Sequence, residues 1–382
     1  MTVTRESARV QAAAREPTVA GAVVAYRLYD VGYEIRLDRA LELLATSAPA
    51  RPVPARGEAQ AIQIKNPPVT VPLGTDSIQI AGAPCAAEVS ARIFDFGVIS
   101  LRIRVEAPEG TPWSGFAALG NRMDAGTELV PRFAHHLRLV LERMGPAIER
   151  PALAPVTEDY VVFRIQRMTG ADGSPVSLEQ LRDEDLIPLL LNERRSLSSG
   201  ARRELLPYRF SYYPDDLAVL TWDNALIVEP APEDNDVQYV LEFANAQLLE
   251  LRVYDTLLDA ELPKMYDRVT RARAELGMLL RRRFASILTD LQTLVADSTE
   301  LVERVENALK LTGDVYLARV YSAALGMFHV REWRQGIDRK LAIIRDTYEM
   351  LNAESQAARS EALEIIIVIL IVIEIVIAFV PR

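Results

Sequence analysis

Residue types that commonly carry out chemistry are sparse in this chain of 382 residues. Its three histidines are His135, His136 and His329. Adjacent histidines on a helix point about 100° apart, so the first two are poorly placed to share a metal, and an ordinary helix surface is the favoured interpretation. The sequence contains no GxxxxGK(S/T), GxGxxG, HExxH or GxSxG motif. Because these patterns mark common nucleotide, zinc and hydrolase sites, we predict no catalytic residue, no metal site and no cofactor.

Two charged runs are candidate ligand sites. Arg281, Arg282 and Arg283 could bind an anion such as RNA phosphate or a lipid headgroup, or could form a solvated helix face. The acidic run 183–185 could hold a metal, although a solvated helix face is favoured. The formal net charge of −10 argues against nucleic-acid binding over the whole surface, because such binding needs cations that neutralise phosphates. A local basic patch is still allowed.

The cellular compartment is predicted from the cysteine content and from the first residues. Cys85 is the only cysteine, so the chain can form no intrachain disulfide, as is typical of proteins in a reducing compartment. Residues 1–17 contain no apolar run of the kind found in secretory signals. Glu6 and Glu16 are unusual for a mitochondrial transit peptide. We therefore expect the bulk of the chain to stay in the cytosol.

The first half of the chain has the pattern of an α+β domain behind a flexible N-terminus. The flexible segment is predicted at 1–18 and the domain at 19–230, with strands at 19–28, 86–105 and 160–165 and helices at 37–44, 128–148 and 178–191. The segment 86–105 is predicted to form two strands that meet near residues 95–97. In the second strand Ile99, Leu101, Ile103 and Val105 alternate with Ser100, Arg102 and Arg104, which predicts one face in the core and one in water. The interleaving suggests the ferredoxin-like type.

Residues 233–360 are predicted to be helical. One helix is expected from Asp236 to about residue 262, where Pro263 would interrupt it, and a longer one from 267 to 311. The longer helix carries a heptad seam with apolar residues four and three apart, which includes Leu280, Phe284, Ile287, Leu291 and Leu294. A second seam consists of Ile337, Leu341, Ile344, Tyr348 and Leu351. The seams could pack as an antiparallel hairpin or could join copies of the chain in a coiled coil, and both could hold together.

The C-terminal residues 362–381 are predicted to form one transmembrane helix, a tail anchor. The residues expected to face lipid are Leu363, Ile365, Ile366, Ile367, Leu370, Ile373, Ile377 and Phe379. The run has the length of about 20 residues that crosses a bilayer and exceeds that of most strands, so a buried coiled-coil helix is the main alternative. Glu374 interrupts the run, and a carboxylate at mid-membrane costs about 3 kcal/mol. It is interpreted as a contact between copies or as a tolerated interruption.

Three segments resemble the RMD family, named for "required for meiotic nuclear division". They are YVLEFANAQLLELRVYDTLLDAEL at 239–262, GDVYLARVYSAALGMFHVREWRQGIDRKL at 313–341 and LEIIIVILIVIEIVI at 363–377. In the last, Glu374 matches a glutamate in the terminal hydrophobic helix of that family. The resemblance covers the first half of the chain only by general layout. It implies a membrane-associated protein without an assigned catalytic activity. Its eukaryotic members include mitochondrial inner-membrane proteins linked to translation and thought to oligomerise and tether ribosomes.

Two hypotheses for the function follow from these patterns and from the resemblance. The first is a non-enzymatic, homo-oligomeric membrane scaffold whose α+β domain recruits a cytosolic protein, a ribosome or RNA. The second is a membrane-associated enzyme with an unrecognised active site in the α+β domain. Because no transit peptide is evident, the chain is more similar to a bacterial relative, and we expect it in the bacterial cytoplasmic membrane rather than in the mitochondrial inner membrane.

Overall fold

The computed structural model describes residues 16–44, 62–64, 66–80, 83–124, 128–178, 181–193, 195–231, 236–274, 289, 292–293, 295–296, 299, 309–311 and 315–379. The chain divides into two units. Unit 1 comprises Met1–Val253 and Arg304–Arg331, and unit 2 comprises Tyr254–Glu303 and Glu332–Arg382. Residues 1–15 of the predicted flexible N-terminus lie outside the described residues.

The strands all lie in unit 1. They are β1 (Thr18–Asp30), β2 (Gly32–Ile35), β3 (Ile62–Ile64), β4 (Val69–Ile80), β5 (Ala83–Ile93), β6 (Val98–Glu106), β7 (Thr111–Pro112), β8 (Ile148–Pro151), β9 (Thr157–Thr169), β10 (Tyr208–Phe210), β11 (Leu217–Leu220), β12 (Asn224–Val228) and β13 (Leu309–Leu311). The strands predicted at 19–28, 86–105 and 160–165 are thus confirmed as β1, β5 with β6, and β9.

The helices are α1 (Leu37–Leu44), α2 (Trp113–Asp124), α3 (Val130–Met144), α4 (Asp183–Leu190), α5 (Ser199–Leu205), α6 (Asp236–Ala274), α7 (Val315–Met327) and α8 (Val330–Phe379). Helix α1 has the predicted bounds because its apolar residues recur at helical spacing, with Ala40 and Leu44 buried.

The main sheet is mixed and confirms a domain that combines strands and helices. Its order is β10-β11-β12-β9-β1-β6-β5-β4, with β7 paired to the start of β1. Among the described strands only β12 and β9 pair in parallel. The ferredoxin-like type is wrong, because β4, β5 and β6 follow one another as an antiparallel meander, whereas a β-α-β-β-α-β chain places a helix between its first two strands.

One face of the sheet packs in the main apolar core with α2 and α3. From the sheet it contributes Val23, Ala25, Leu101 and Ile103, and from the helices Phe116 and Phe133. Helix α2 approaches the sheet so closely that a Cβ at Gly120 would lie 1.8 Å from the Phe163 ring. This face is the predicted core face of β6, and Ile99 to Val105 bear it out.

The opposite face was predicted to lie in water, and that prediction is wrong for β6. Ser100 has no exposed surface, and the side chain of Arg102 is only 16% exposed. The reason is that the first part of α6 reaches this face: Gln238 donates a hydrogen bond to Tyr26, and Glu242 pairs with Arg92. A polar strand residue can therefore indicate a second packing partner instead of solvent.

Two expectations about the helical half are corrected. Helix α6 continues through Pro263 to Ala274 instead of ending at residue 262. Leu309–Leu311, predicted as the end of a long helix, form strand β13, which pairs antiparallel with β3 of the same unit. Strands β13 and β3 are each only three residues long, which is too short for the spacing of apolar residues to tell a strand from a helix.

Unit 2 contains the second predicted seam as a buried face of α8. Ile337, Leu341, Ile344 and Leu351 are buried there, as are Leu258, Met265 and Val269 of α6. Lys340 of α8 forms ion pairs of 2.6 Å with both Asp255 and Asp259 of α6. The first seam, Leu280 to Leu294, lies outside the described residues, so the hairpin and the coiled coil stay predictions.

The C-terminal apolar run is helical as far as Phe379, within α8. Over the described part of the chain, no helix combines the length and the apolar composition needed to cross a membrane. Side chains of the run are described only from Leu363 to Ile373, a stretch about half as long as the roughly 20 residues that span a bilayer. The transmembrane helix predicted at 362–381 is therefore not supported here.

Candidate functional site

The most unusual polar cluster in unit 1 lies between the sheet and the start of α6. We call it the arginine cluster and define it by Arg92 of β5, Arg102 of β6, Glu242 of α6, Tyr26 of β1 and Ser100 of β6. The strand register places Tyr26 opposite Arg102, and Arg92 opposite Ser100. Since residues 100 and 102 point to the same side of β6, the register brings all of these side chains to one face.

Glu242 is the carboxylate of the arginine cluster. It is 3% exposed, and its Oε2 lies 2.5 Å from Nη1 of Arg92 and 4.0 Å from Nη1 of Arg102. Arg92 also donates from Nε to the Thr70 hydroxyl at 3.1 Å, and its guanidinium lies 4.6 Å from the centre of the Tyr239 ring. Arg92 is thus held on three sides, by an ion pair, a hydrogen bond and a cation–π contact.

Arg102 is held less completely. Its Nε donates to the Ser90 hydroxyl at 3.0 Å, which is its only side-chain hydrogen bond to the described residues. Burial lowers the pKa of Arg102, and the nearby Arg92 charge lowers it further, whereas Glu242 raises it. Burial also raises the pKa of Tyr26, with Glu242 acting in the same direction. The cluster therefore concentrates more positive charge than its one carboxylate offsets.

Two buried oxygens of the arginine cluster have no hydrogen-bond partner among the described residues. They are Oε1 of Glu242 and the hydroxyl of Ser100. The great majority of buried polar atoms in proteins have a hydrogen-bond partner, so each exception calls for an explanation, such as a bound water, an ion or a ligand. The cluster is therefore the strongest candidate site in unit 1.

A second group of ionisable side chains lies at the end of α2, at the start of β9 and in the turn between β11 and β12. Burial raises the pKa of Asp124 to about 6, and Asp223 and Asp159 add to the effect. Burial likewise raises the pKa of Glu158, which Arg252 opposes through an ion pair. No group of three or more possible metal ligands occurs among the residues that the structure describes. Because burial raises the pKa values of Asp124 and Glu158, this acidic group makes unit 1 sensitive to pH.

The residues predicted from the sequence as sites are distributed as follows. Arg281, Arg282 and Arg283 lie outside the described residues, as do the side chains of Glu374, Ile377 and Phe379. His135 is exposed on α3 as predicted. The same interpretation is wrong for His136, which is buried with Nε2 3.2 Å from Oδ2 of Asp76.

The acidic run at 183–185 forms the first turn of α4. Asp185 Oδ2 accepts a hydrogen bond from the Arg182 backbone N–H at 3.0 Å, and Glu184 lies 2.5 Å from Arg202. Acidic residues favour the first helical turn because the helix dipole is positive there. The favoured interpretation as a helix face agrees with these contacts.

The sequence patterns did not identify the arginine cluster as a site. Two signals for it are present in the sequence: Arg102 in the alternating strand β6, and Glu242 within an otherwise apolar stretch of α6. Residues 102 and 242 are far apart in the chain, so only the tertiary structure could bring them together.

Residues 20–235 match the family described as "Uncharacterized protein MJ0711, N-terminal domain". The chain belongs to this family. Uncharacterized protein MJ0711 of Methanocaldococcus jannaschii is 29% identical to it over 193 residues, which are 50% of this chain and 58% of that protein. The chain thus matches less than two thirds of the relative's length. No solved structure matches the chain.

The match to this family ends at residue 235, immediately before α6 begins at Asp236. Tyr26, Arg92, Ser100 and Arg102 therefore belong to the matched segment, whereas Glu242 lies beyond it. The arginine cluster combines a family domain with the helix that follows the domain. The resemblance to the RMD family and the bacterial origin stay predictions.

Proposed function

We propose that the protein is a membrane-anchored, oligomeric scaffold or tether whose N-terminal domain recruits a partner on the cytosolic side. The observation that carries this proposal is the exposed apolar run of α8, defined as Leu363 to Ile373. Every side chain in the run is exposed, the apolar ones by 48–59%. A helix that is apolar around its whole circumference is normally covered, either by protein or by lipid.

Lipid is the covering that the composition favours. Glu364 is the only charged residue in the exposed run, and the sequence continues with apolar residues to Val380, interrupted by Glu374. Each isoleucine or leucine contributes a few tenths of a kcal/mol to insertion, so the run can offset the cost of about 3 kcal/mol for one carboxylate. The anchor that we propose therefore extends beyond the described side chains.

The recruited partner is proposed by analogy alone. The resemblance of residues 239–262 and 313–341 to the RMD family supports a role in translation, with a ribosome or RNA as the partner. A cytosolic protein would fit the same arrangement. The resemblance also supports assembly of several copies, with Glu374 as one contact between them.

The anchor is tested by fractionating cells that express the full chain and a truncation ending at Ser360. We expect the full chain in the membrane fraction, resistant to high salt and alkaline pH, and the truncation in the soluble fraction. A full-length chain that is itself soluble would overturn the proposal and would leave α8 as an assembly helix covered by protein.

A pair of double variants separates anchoring from general damage to α8. Ile367→Lys with Ile371→Lys places two charges in the exposed run, at a cost of about 5–7 kcal/mol for a membrane-centred pair, and should release the chain from the membrane. Ile343→Lys with Met350→Lys is the matched control, because these side chains are 40% and 41% exposed on the same helix but lie outside the run. The control should stay bound to the membrane.

Assembly is tested by measuring the mass of the full chain in mild detergent. Glu374→Leu should insert as well as the wild type and should dissociate more readily, because a buried carboxylate between apolar helices forms its hydrogen bonds with other copies. An unchanged mass would argue against Glu374 as a contact. A truncation at Ser360 that is still oligomeric would assign assembly to the remaining helices.

A further inference from the structure

The geometry points to an oxyanion-binding site in the arginine cluster, in which Arg102 is the main donor to a phosphate or carboxylate group. This site is independent of the proposed anchor, since it lies in unit 1 and uses none of the apolar residues of α8. The sequence patterns and the family match assign no ligand to it.

The hydrogen bonds of Arg102 give the first reason. A guanidinium has five N–H donors in a planar fork that matches an oxyanion, yet within the described part of the chain Arg102 uses one of them, towards Ser90. Its nearest carboxylate oxygen, on Glu242, is 4.0 Å away, which is an ion pair without a hydrogen bond. The Arg102 side chain is 16% exposed, so it is shielded from most of the solvent but keeps some exposed surface.

The surroundings of Arg102 give the second reason. Arg92 lies on the same face of β5, and Arg104 is two residues further along β6. Both oppose the charged form of Arg102, but Arg104 is itself ion-paired with Glu106 and Glu88, so an anion at the fork would mainly relieve the repulsion between Arg92 and Arg102. The hydroxyls of Tyr26 and Ser100 belong to the same cluster and can donate to an oxyanion.

Glu242 would compete with such an anion. Its Oε2 is committed to Arg92 at 2.5 Å, so the carboxylate neutralises Arg92 better than Arg102. A bound anion near Arg102 would feel the repulsion of this charge, which distinguishes the site from a purely structural cluster. Removal of the Glu242 charge should strengthen anion binding, whereas removal of the Arg102 charge should weaken it.

If the arginine cluster had only a structural role, its variants would change stability and not anion binding. Buried ion pairs often fix how two elements pack, and loss of either partner then destabilises the protein. In that case the Glu242 and Arg102 variants would both be less stable, and neither would change the response to an anion. The two variants must change anion affinity in opposite directions for the site that we infer.

The experiment titrates the purified full chain, in a neutral detergent, with inorganic phosphate at constant ionic strength and follows binding by calorimetry. Chloride at the same ionic strength separates binding from salt screening. Arg102→Met should weaken phosphate binding at least about tenfold, the factor expected for a lost charge-assisted hydrogen bond. Arg138→Met, on the exposed side of α3, is the control and should bind as the wild type.

Two conservative variants keep the inference testable if Arg102→Met does not fold. Arg102→Lys keeps the charge and loses the planar fork, so it should bind more weakly than the wild type and more tightly than Arg102→Met. Glu242→Gln keeps an acceptor for Arg92 and should bind phosphate about tenfold more tightly. Circular dichroism checks that each variant is folded. The inference would be overturned if the wild type, Arg102→Lys and Glu242→Gln bound phosphate with equal affinity. It would also be overturned if the two variants lost phosphate affinity to the same extent.

The same oxyanion chemistry could come from a soluble phosphate compound or from a lipid headgroup. Detergent micelles doped with phosphatidylglycerol, compared with phosphatidylcholine, distinguish the two sources. Phosphate binding that is unaffected by phosphatidylglycerol indicates a soluble ligand, and competition by phosphatidylglycerol that requires Arg102 indicates a headgroup. If phosphate and phosphatidylglycerol both leave the wild type unchanged, the inference is wrong.

Discussion

Asp30 makes unit 1 sensitive to pH through a single buried carboxyl group. It ends strand β1, is 8% exposed, and its Oδ1 accepts a hydrogen bond from the Gly32 N–H at 3.1 Å. Burial raises its pKa from 3.8 to about 7, even though the Gly32 N–H acts in the opposite direction. In the folded protein this group therefore stays protonated over a range in which the unfolded chain has already lost the proton.

The sign of the effect follows from proton linkage. Below about pH 4 the carboxyl is protonated in both states, so the stabilisation by its neutral form is fully present. As the pH rises from about 4 to about 7, the unfolded chain loses this proton while the folded state keeps it, so the stabilisation declines and is fully lost above about pH 7. A pKa difference of roughly three units corresponds to about 4 kcal/mol as an upper limit.

Asp30→Asn is the informative change. Asparagine cannot ionise, and its side-chain oxygen can still accept the Gly32 N–H. We expect the free energy of unfolding of Asp30→Asn relative to the wild type to increase from near zero at pH 4 to at most about 4 kcal/mol at pH 8.

The assay is urea unfolding of the full chain in neutral detergent at several pH values, followed by tryptophan fluorescence. Trp113 and Trp222 lie in unit 1 and report on its unfolding. Asp30→Ala should lose the same pH dependence but should be less stable than Asp30→Asn by about 1 kcal/mol at all pH values, because the Gly32 N–H loses its acceptor. A difference between Asp30→Asn and the wild type that does not change with pH would refute the reasoning.

Two further predictions concern packing. Gly120→Ala should destabilise unit 1 by about 1–3 kcal/mol in a thermal-unfolding measurement, because its Cβ would lie 1.8 Å from the Phe163 ring. Gly115→Ala on the same helix is the control. Its Cβ would meet its nearest atoms at 3.4 Å, so this variant should be as stable as the wild type. Lys340→Met should weaken the packing of α6 against α8 by about 1–3 kcal/mol, because it leaves Asp255 without its cation. The rate of hydrogen exchange in α8 should therefore rise. An unchanged rate would show that the ion pair contributes little to this packing.

Elements with a strong local pattern could be predicted from the sequence. The alternation from Ile99 to Val105 identified a strand and its buried face, and the spacing in 37–44 identified α1. The seam from Ile337 to Leu351 identified the buried side of α8, since its apolar residues recur at helical spacing. Each of these signals lies within one short segment of chain, where neighbouring residues determine the structure.

The order of the strands, the strand pairing of Leu309–Leu311 and the covering of the second sheet face required the tertiary structure. Ser100 and Arg102 read as solvent-facing residues because the sequence does not show that Glu242 packs against them. The same long-range contact raises or lowers the pKa values of the cluster, since burial depends on what covers a side chain. The periodicity of single segments thus determined the local elements, whereas the choice between water and a second packing partner depended on contacts between residues distant in the chain, which only the tertiary structure decides.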